Sequence, residues 1–181
     1  MGKEILRKFF TSKVNESIEC QDVILPNLVK IYLVALLVEL AYLDRRSYYD
    51  PTVKLVDLYM MASAAEGKHE RLERYKRIGD TSIIRLGYFP ENINRKNVGP
   101  AYYRDMGTSA YYTAFVNSEN SLYKELVDSY DSCIDAIHGV KSMSIRNDIV
   151  ELHEFWNITK SNFAKRRLSQ LGFSFKEKLI T

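Results

Sequence analysis

Three histidines and two cysteines, with the carboxylates, are the material this 181-residue chain has for metal, acid–base or thiol chemistry. A di-iron carboxylate bundle needs about four carboxylates and two histidines, typically with Glu-x-x-His motifs on two facing helices. One such motif is present, Glu66-Gly-Lys-His69, and it straddles Gly67, a predicted helix end. In the cluster Glu151, His153 and Glu154, helical spacing turns the histidine away from the face that the two glutamates share. Glu39, within an apolar helix, joins Glu66 and His69 as the alternative ligands. The expectation is no metal and no cofactor.

Nucleophilic chemistry fares no better. A serine or cysteine nucleophile needs an oriented base beside it. Cys133 and His138 stand five apart on one predicted helix, about 140° around it, and cannot meet. Cys20 has no identifiable partner, and no Gly-x-Ser-x-Gly elbow occurs. Glu39 and Asp80 are candidate buried carboxylates with raised pKa, with capping or pairing to an arginine as the competing reading. No catalytic residue is assigned, and whether the chain is an enzyme stays open.

The densest stretch is GYFPENINRKNVGPAYYRDMG, residues 87–107. Its loop exceeds the 2–8 residues usual between bundle helices. Arg95, Lys96 and Arg104 are cations near a predicted helix start at Gly99–Ala101, where free amides and the helix dipole can hold an anion. The competing reading is that they are solvated or pair with Glu91 and Asp105. Gly79 and Gly107 each lie 14 residues from position 93. Folded back there, the flanking helices would bring the two glycines level, with Ser82, Ala110 and Ala114 extending the small-residue face. Glycine inside a helix costs about 0.5–1 kcal/mol, so close backbone approach is expected. Such a face could instead admit a flat ligand such as a tetrapyrrole, but nothing supplies a convincing axial ligand.

These residues must be carried by helices. Apolar positions recur at helical spacing, and clean period-2 runs are nearly absent. Helices are expected at about 3–19, 27–46, 51–66, 68–87, 100–116, 119–138 and 145–171. The helix at 27–46 is apolar on most faces and is expected at the centre. Caps are expected at Asp50, Ser118 and Ser144, and helix ends at Gly67, Gly139 and Gly172. The expected fold is all-α, one domain over residues 1–181, a bundle of six to seven helices.

The bulk properties narrow the classes. With 46% hydrophobic and 27% charged residues the chain is globular. A net charge of +3 is too small to favour nucleic acid. Residues 68–105 carry 9 basic and 5 acidic side chains, residues 106–157 carry 3 and 8, and residues 158–181 carry 6 and 1. Acidic helices beside basic ones explain that, with a basic surface for an anionic partner as the alternative. No signal segment is evident, and the apolar run 31–38 falls short of a membrane span. A cytoplasmic protein with two buried, reduced cysteines is expected. Thirteen tyrosines, three times paired (48–49, 102–103 and 111–112), suit half-apolar, half-wet surfaces, including those of a homo-oligomer.

Residues 79–114 resemble a conserved-hypothetical family of bacterial proteins. The likeness rests on Gly79–Asp80, Gly87–Glu91, Arg95 and Tyr102–Tyr111, the last a Tyr-Tyr-x-x-Met-Gly-x-x-Ala-Tyr run. The resemblance implies a helical, bacterial, cytoplasmic protein and brings no activity. Two functions are therefore carried. One is a non-enzymatic interaction or regulatory module that binds an acidic protein or small anion. The other is a small-molecule or cofactor-binding bundle, an oxidase among the options, with its pocket near Gly79, Gly107 and Glu39.

Overall fold

The computed structural model describes residues 2–42, 53–93, 98–144 and 149–173. These form nine α-helices and a short 3₁₀ turn, with no strand among the described residues. The helices are α1 (Gly2–Gln21), α2 (Asn27–Tyr42), α3 (Leu55–Ser63), α4 (Lys68–Gly87), α5 (Pro100–Ser118), α6 (Ser121–Asp128), α7 (Tyr130–Ser144), α8 (Ile149–Thr159) and α9 (Asn162–Gln170). The all-α class is as expected. The count exceeds six to seven because two expected helices are each broken once. None of these helices is long and apolar enough to cross a membrane.

The breaks have local causes. Residues 119–138 do not run as one helix, since Ser129 leaves helical geometry at φ −110° and ψ 22°. Ser118 is not the cap: its hydroxyl bonds back to the Ala114 carbonyl. Asn120 caps α6 instead, its side chain accepting the Leu122 amide at 3.0 Å. The following helix passes through Gly139 to Ser144. In the C-terminal region Lys160 takes a left-handed φ of 55°. Ser161 then restarts the chain by accepting the Ala164 amide. Gly67 does not end α3, which stops at Ser63, but caps α4 with extended backbone. Asp50, Pro51 and Ile145 lie outside the described residues.

The centre of the bundle is α4, not α2. Every residue from Ile78 to Gly87 is buried, including Asp80, Thr81, Ser82 and Arg85. Helices α3, α5 and α7 and the 3₁₀ turn enclose it. The apolar α2 packs on α1 and leaves Leu28, Ile31 and Tyr42 exposed. Hydropathy pointed to α2 because it measures composition. Enclosure depends on how many neighbours surround a helix, and the second half of α4, from Ile78 to Gly87, has them on all sides.

Helices α4 and α5 form an antiparallel pair, but Gly79 and Gly107 do not face each other. A Cβ on Gly79 would lie within 2.7 Å of Cδ1 of the Tyr111 ring. One on Gly107 would lie 2.7 Å from Ser82 Cβ and collide with the Tyr130 hydroxyl. The register is thus about one turn from glycine-to-glycine, and each glycine admits a partner's side chain. Ser82, Ala110 and Ala114 are buried along the same seam, and the Ser82 hydroxyl donates to the Tyr103 carbonyl.

Gly79→Ala and Gly107→Ala should each destabilise by about 1–3 kcal/mol through overpacking. For a chain of this size that lowers the melting temperature by roughly 2–4 °C per kcal/mol. Gly99→Ala, where a Cβ meets nothing within 4 Å, should change stability by about 0.5 kcal/mol or less. Thermal unfolding followed by circular dichroism distinguishes these; three equal melting curves would remove the glycines from the packing account.

Candidate functional site

The strongest polar constellation is a closed one. Asp80 is 1% exposed. Its Oδ1 accepts the Tyr32 hydroxyl of α2 and the Tyr111 hydroxyl of α5, the latter at 2.7 Å. Its Oδ2 accepts Lys76 Nζ at 3.2 Å. All three partners donate, so the set fits an ionised carboxylate. Burial opposes this and raises the Asp80 pKa, while Lys76 and the two hydroxyls pull it back. Burial, with the Asp80 charge beside them, likewise lifts both tyrosines well above their ordinary value. Tyr123 and Tyr130 pack against the Tyr111 ring. This carboxylate holds three helices together.

The glycine face expected to admit a flat ligand is filled by Tyr111, Tyr130 and Ser82. Glu39 is half-buried rather than enclosed, and Glu66 and His69 are exposed on a connection and in the first turn of α4. Among the described residues no three His, Cys, Asp or Glu side chains are grouped to hold a metal.

The expected anion cluster is divided. Arg95 and Lys96 lie outside the described residues. Gly99 caps α5 and is exposed, as is Ala101. Arg104 turns elsewhere. Its Nε bonds Asp131 at 2.7 Å and its Nη2 bonds the Thr159 carbonyl at 2.9 Å, tying α5 to α7 and the end of α8. Asp135 lines the same corner, and burial raises it to about 6. Glu91 pairs with Lys141 at 2.9 Å.

A cleft of about 640 Å³ opens between α1, α7, α8 and α9. Met143, Leu152 and Phe163 supply apolar wall, and Cys20, Gln21, His138 and Ser142 supply polar wall. Glu16, Glu151 and Arg167 also line it. Cys20 is exposed, against the expectation that both cysteines are buried. Cys133 is buried, which pushes its thiol up to about 12.

His138 is 2% exposed and lies flat on Phe155, with centroids 3.4 Å apart and planes at 2°. Burial first, then Lys141, depresses it to about 3, against an opposing interaction with the Gly87 backbone. Its Nε2 meets Ser142 Oγ at 3.1 Å. The two residues are four apart, a spacing that places them together on a helix, and this pairing in His138-Gly-Val-Lys-Ser142 was legible once Gly139 is read as helix interior. The geometry is that of a serine beside a base. The basicity is not, because a general base works best with a pKa near the ambient pH.

A groove of about 470 Å³ runs between α1 and α2. Arg7, Thr11 and Asn15 line one side and Asn27, Lys30, Ile31, Val34 and Ala35 the other. Hydropathy alone had assigned the exposed side of α2 to the core, so sequence reasoning missed this groove.

Two measurements test these assignments. Tyr111→Phe removes a donor from a buried carboxylate and should cost about 1–3 kcal/mol in denaturant unfolding; an unchanged midpoint would remove that bond from the core. The His138 ring should remain neutral by NMR at pH 5. Its folded pKa is depressed, so the stability it contributes is complete above about pH 6.5 and is lost as pH falls toward 3. His138→Gln should flatten that acid limb, and a ring titrating near 6.5 would contradict the buried stack. In comparison with known proteins, no family model, curated protein or solved structure matches this chain.

Proposed function

We propose that this chain is a non-enzymatic interaction module that seats an acidic, amphipathic helix of a partner protein in the groove between α1 and α2. The observation that carries this reading is the exposed face of α2. Leu28, Ile31, Ala35 and Tyr42 recur at steps of 3, 4 and 7, the stripe of a helix built to meet another helix. Ile31 is 66% exposed and Leu28 51%. Arg7 and Lys30 line the groove with no salt bridge among the described residues. An apolar strip between unpaired cations suits a helix with an apolar face and carboxylates on its flanks. The same reading takes the protein as bacterial, cytoplasmic and capable of self-association.

A second reading, a small-molecule-binding bundle, is favoured by a different observation, the cleft at Gln21 and His138. Its pocket is then the cleft and not the face of Gly79 and Gly107.

The first reading is tested with a helical peptide of leucines and glutamates and its lysine counterpart, titrated by fluorescence anisotropy. The acidic peptide should bind, weaken with salt, and lose about tenfold or more in affinity to Arg7→Glu/Lys30→Glu. Equal binding of both peptides would sink the acidic-partner reading. A concentration-dependent dimer by light scattering, abolished by Ile31→Asp, would make the face a self-interface instead.

A further inference from the structure

The wall of the α1/α7/α8/α9 cleft contains a hydrogen-bond acceptor whose identity the surrounding bonds dictate. Ser17 Oγ donates its single hydrogen to the Ala136 carbonyl at 2.8 Å. That oxygen can then only accept from Gln21. The Gln21 carboxamide must therefore turn Nε2 toward Ser17, and it does so at 3.0 Å. Its orientation is set by the network. Oε1 is left as a buried acceptor without a donor among the described residues, in a side chain 3% exposed. Such an atom costs free energy until a donor reaches it. Gly139 makes the approach feasible, since a Cβ there would run into Gln21 and Ser17.

The rest of the lining is consistent with one ligand chemistry. Met143, Leu152 and Phe163 offer an apolar enclosure for a hydrocarbon or aromatic body. Ionised groups do not select a net charge: Glu16 is already paired with Lys13 at 2.7 Å, leaving Glu151 and Arg167 of opposite sign. Selection therefore falls to the neutral acceptor at Gln21. From this we infer that the cleft binds a small apolar molecule bearing an N–H donor head, a primary amide or amine, which donates to Gln21 Oε1 as the carboxamide pivots about its retained Nε2–Ser17 bond. The inference rests on the small-molecule reading of the cleft and adds the chemical class. A carboxylate or ester head leaves Oε1 without a donor and is discriminated against.

The test uses the full chain and a matched pair of probes, 4-phenylbutyramide and methyl 4-phenylbutyrate, similar in size and differing in the donor. Binding is followed by NMR at the Gln21 side-chain amide and the Met143 methyl. The amide should bind about tenfold more tightly than the ester. Gln21→Met, close in size, should bring the two to equal affinity. Met143→Trp, with its fold checked by circular dichroism, should abolish both by filling the cleft. If the ester binds as tightly as the amide, the donor class is wrong while the cleft stands as a ligand site. If neither probe moves the Gln21 or Met143 signals, the cleft reading itself falls.

Discussion

A carboxylate sealed inside an apolar bundle constrains everything around it. Asp80 cannot be solvated, so its donors must come from protein, and they come from three places at once: Tyr32 on α2, Tyr111 on α5 and Lys76 one turn earlier on α4. Removing one partner would leave the others facing a charge only partly compensated, which is why such networks specify one arrangement. Gly79 beside it is part of the same device. Its missing side chain is the space through which the Tyr111 ring reaches Asp80. The Gly-Asp pair and the last tyrosine of the Tyr-Tyr-x-x-Met-Gly-x-x-Ala-Tyr run therefore act as one unit, and the unit is structural.

Two surfaces are left over once that core is closed. Because α4 is surrounded, α2 is pushed to the periphery with an apolar face still turned outward. That displacement creates the groove on which the proposed partner helix would sit. On the other side, α1 and α7 approach closely at Gly139, and the α8/α9 pair covers them incompletely, leaving the cleft. Among the described residues, the groove combines apolar contact with cations that make no salt bridge, and the cleft combines apolar contact with a neutral acceptor that has no donor. These are different recognition chemistries and need not serve the same ligand.

Much of the helical layout was legible because apolar spacing at 3.6 residues reports a local property. The helix starting at Lys68 and that starting at Pro100 stand close to their expected bounds. The breaks were not legible in the same way. Ser129 and Lys160 depart from helical geometry inside stretches whose periodicity continues past them, and capping by Asn120 and Ser161 competes locally with helix continuation. The glycines were recognised as sites of close approach, yet their counterparts were misjudged. Symmetric counting from a midpoint gives the level of two helices only to about a turn, and each glycine meets a side chain one turn further on, Tyr111 for Gly79 and Ser82 for Gly107.

The sequence by itself determined the all-α class, the helix hairpin around residues 88–99 and the need for small residues along its seam, since these follow from local periodicity and from the volume of glycine. Tertiary structure alone decided which helix is central, which cation is paired and which polar group is sealed. Arg104 could have faced an anion at Gly99 until α7 and α8 brought Asp131 and the Thr159 carbonyl within reach. Asp80 and Gln21 each have one partner that local spacing supplies, Lys76 and Ser17 four residues earlier, while Tyr32, Tyr111 and the Ala136 carbonyl behind Ser17 come from distant helices. Their roles arise because burial removes water and makes every remaining hydrogen bond a matter of which distant side chain arrives.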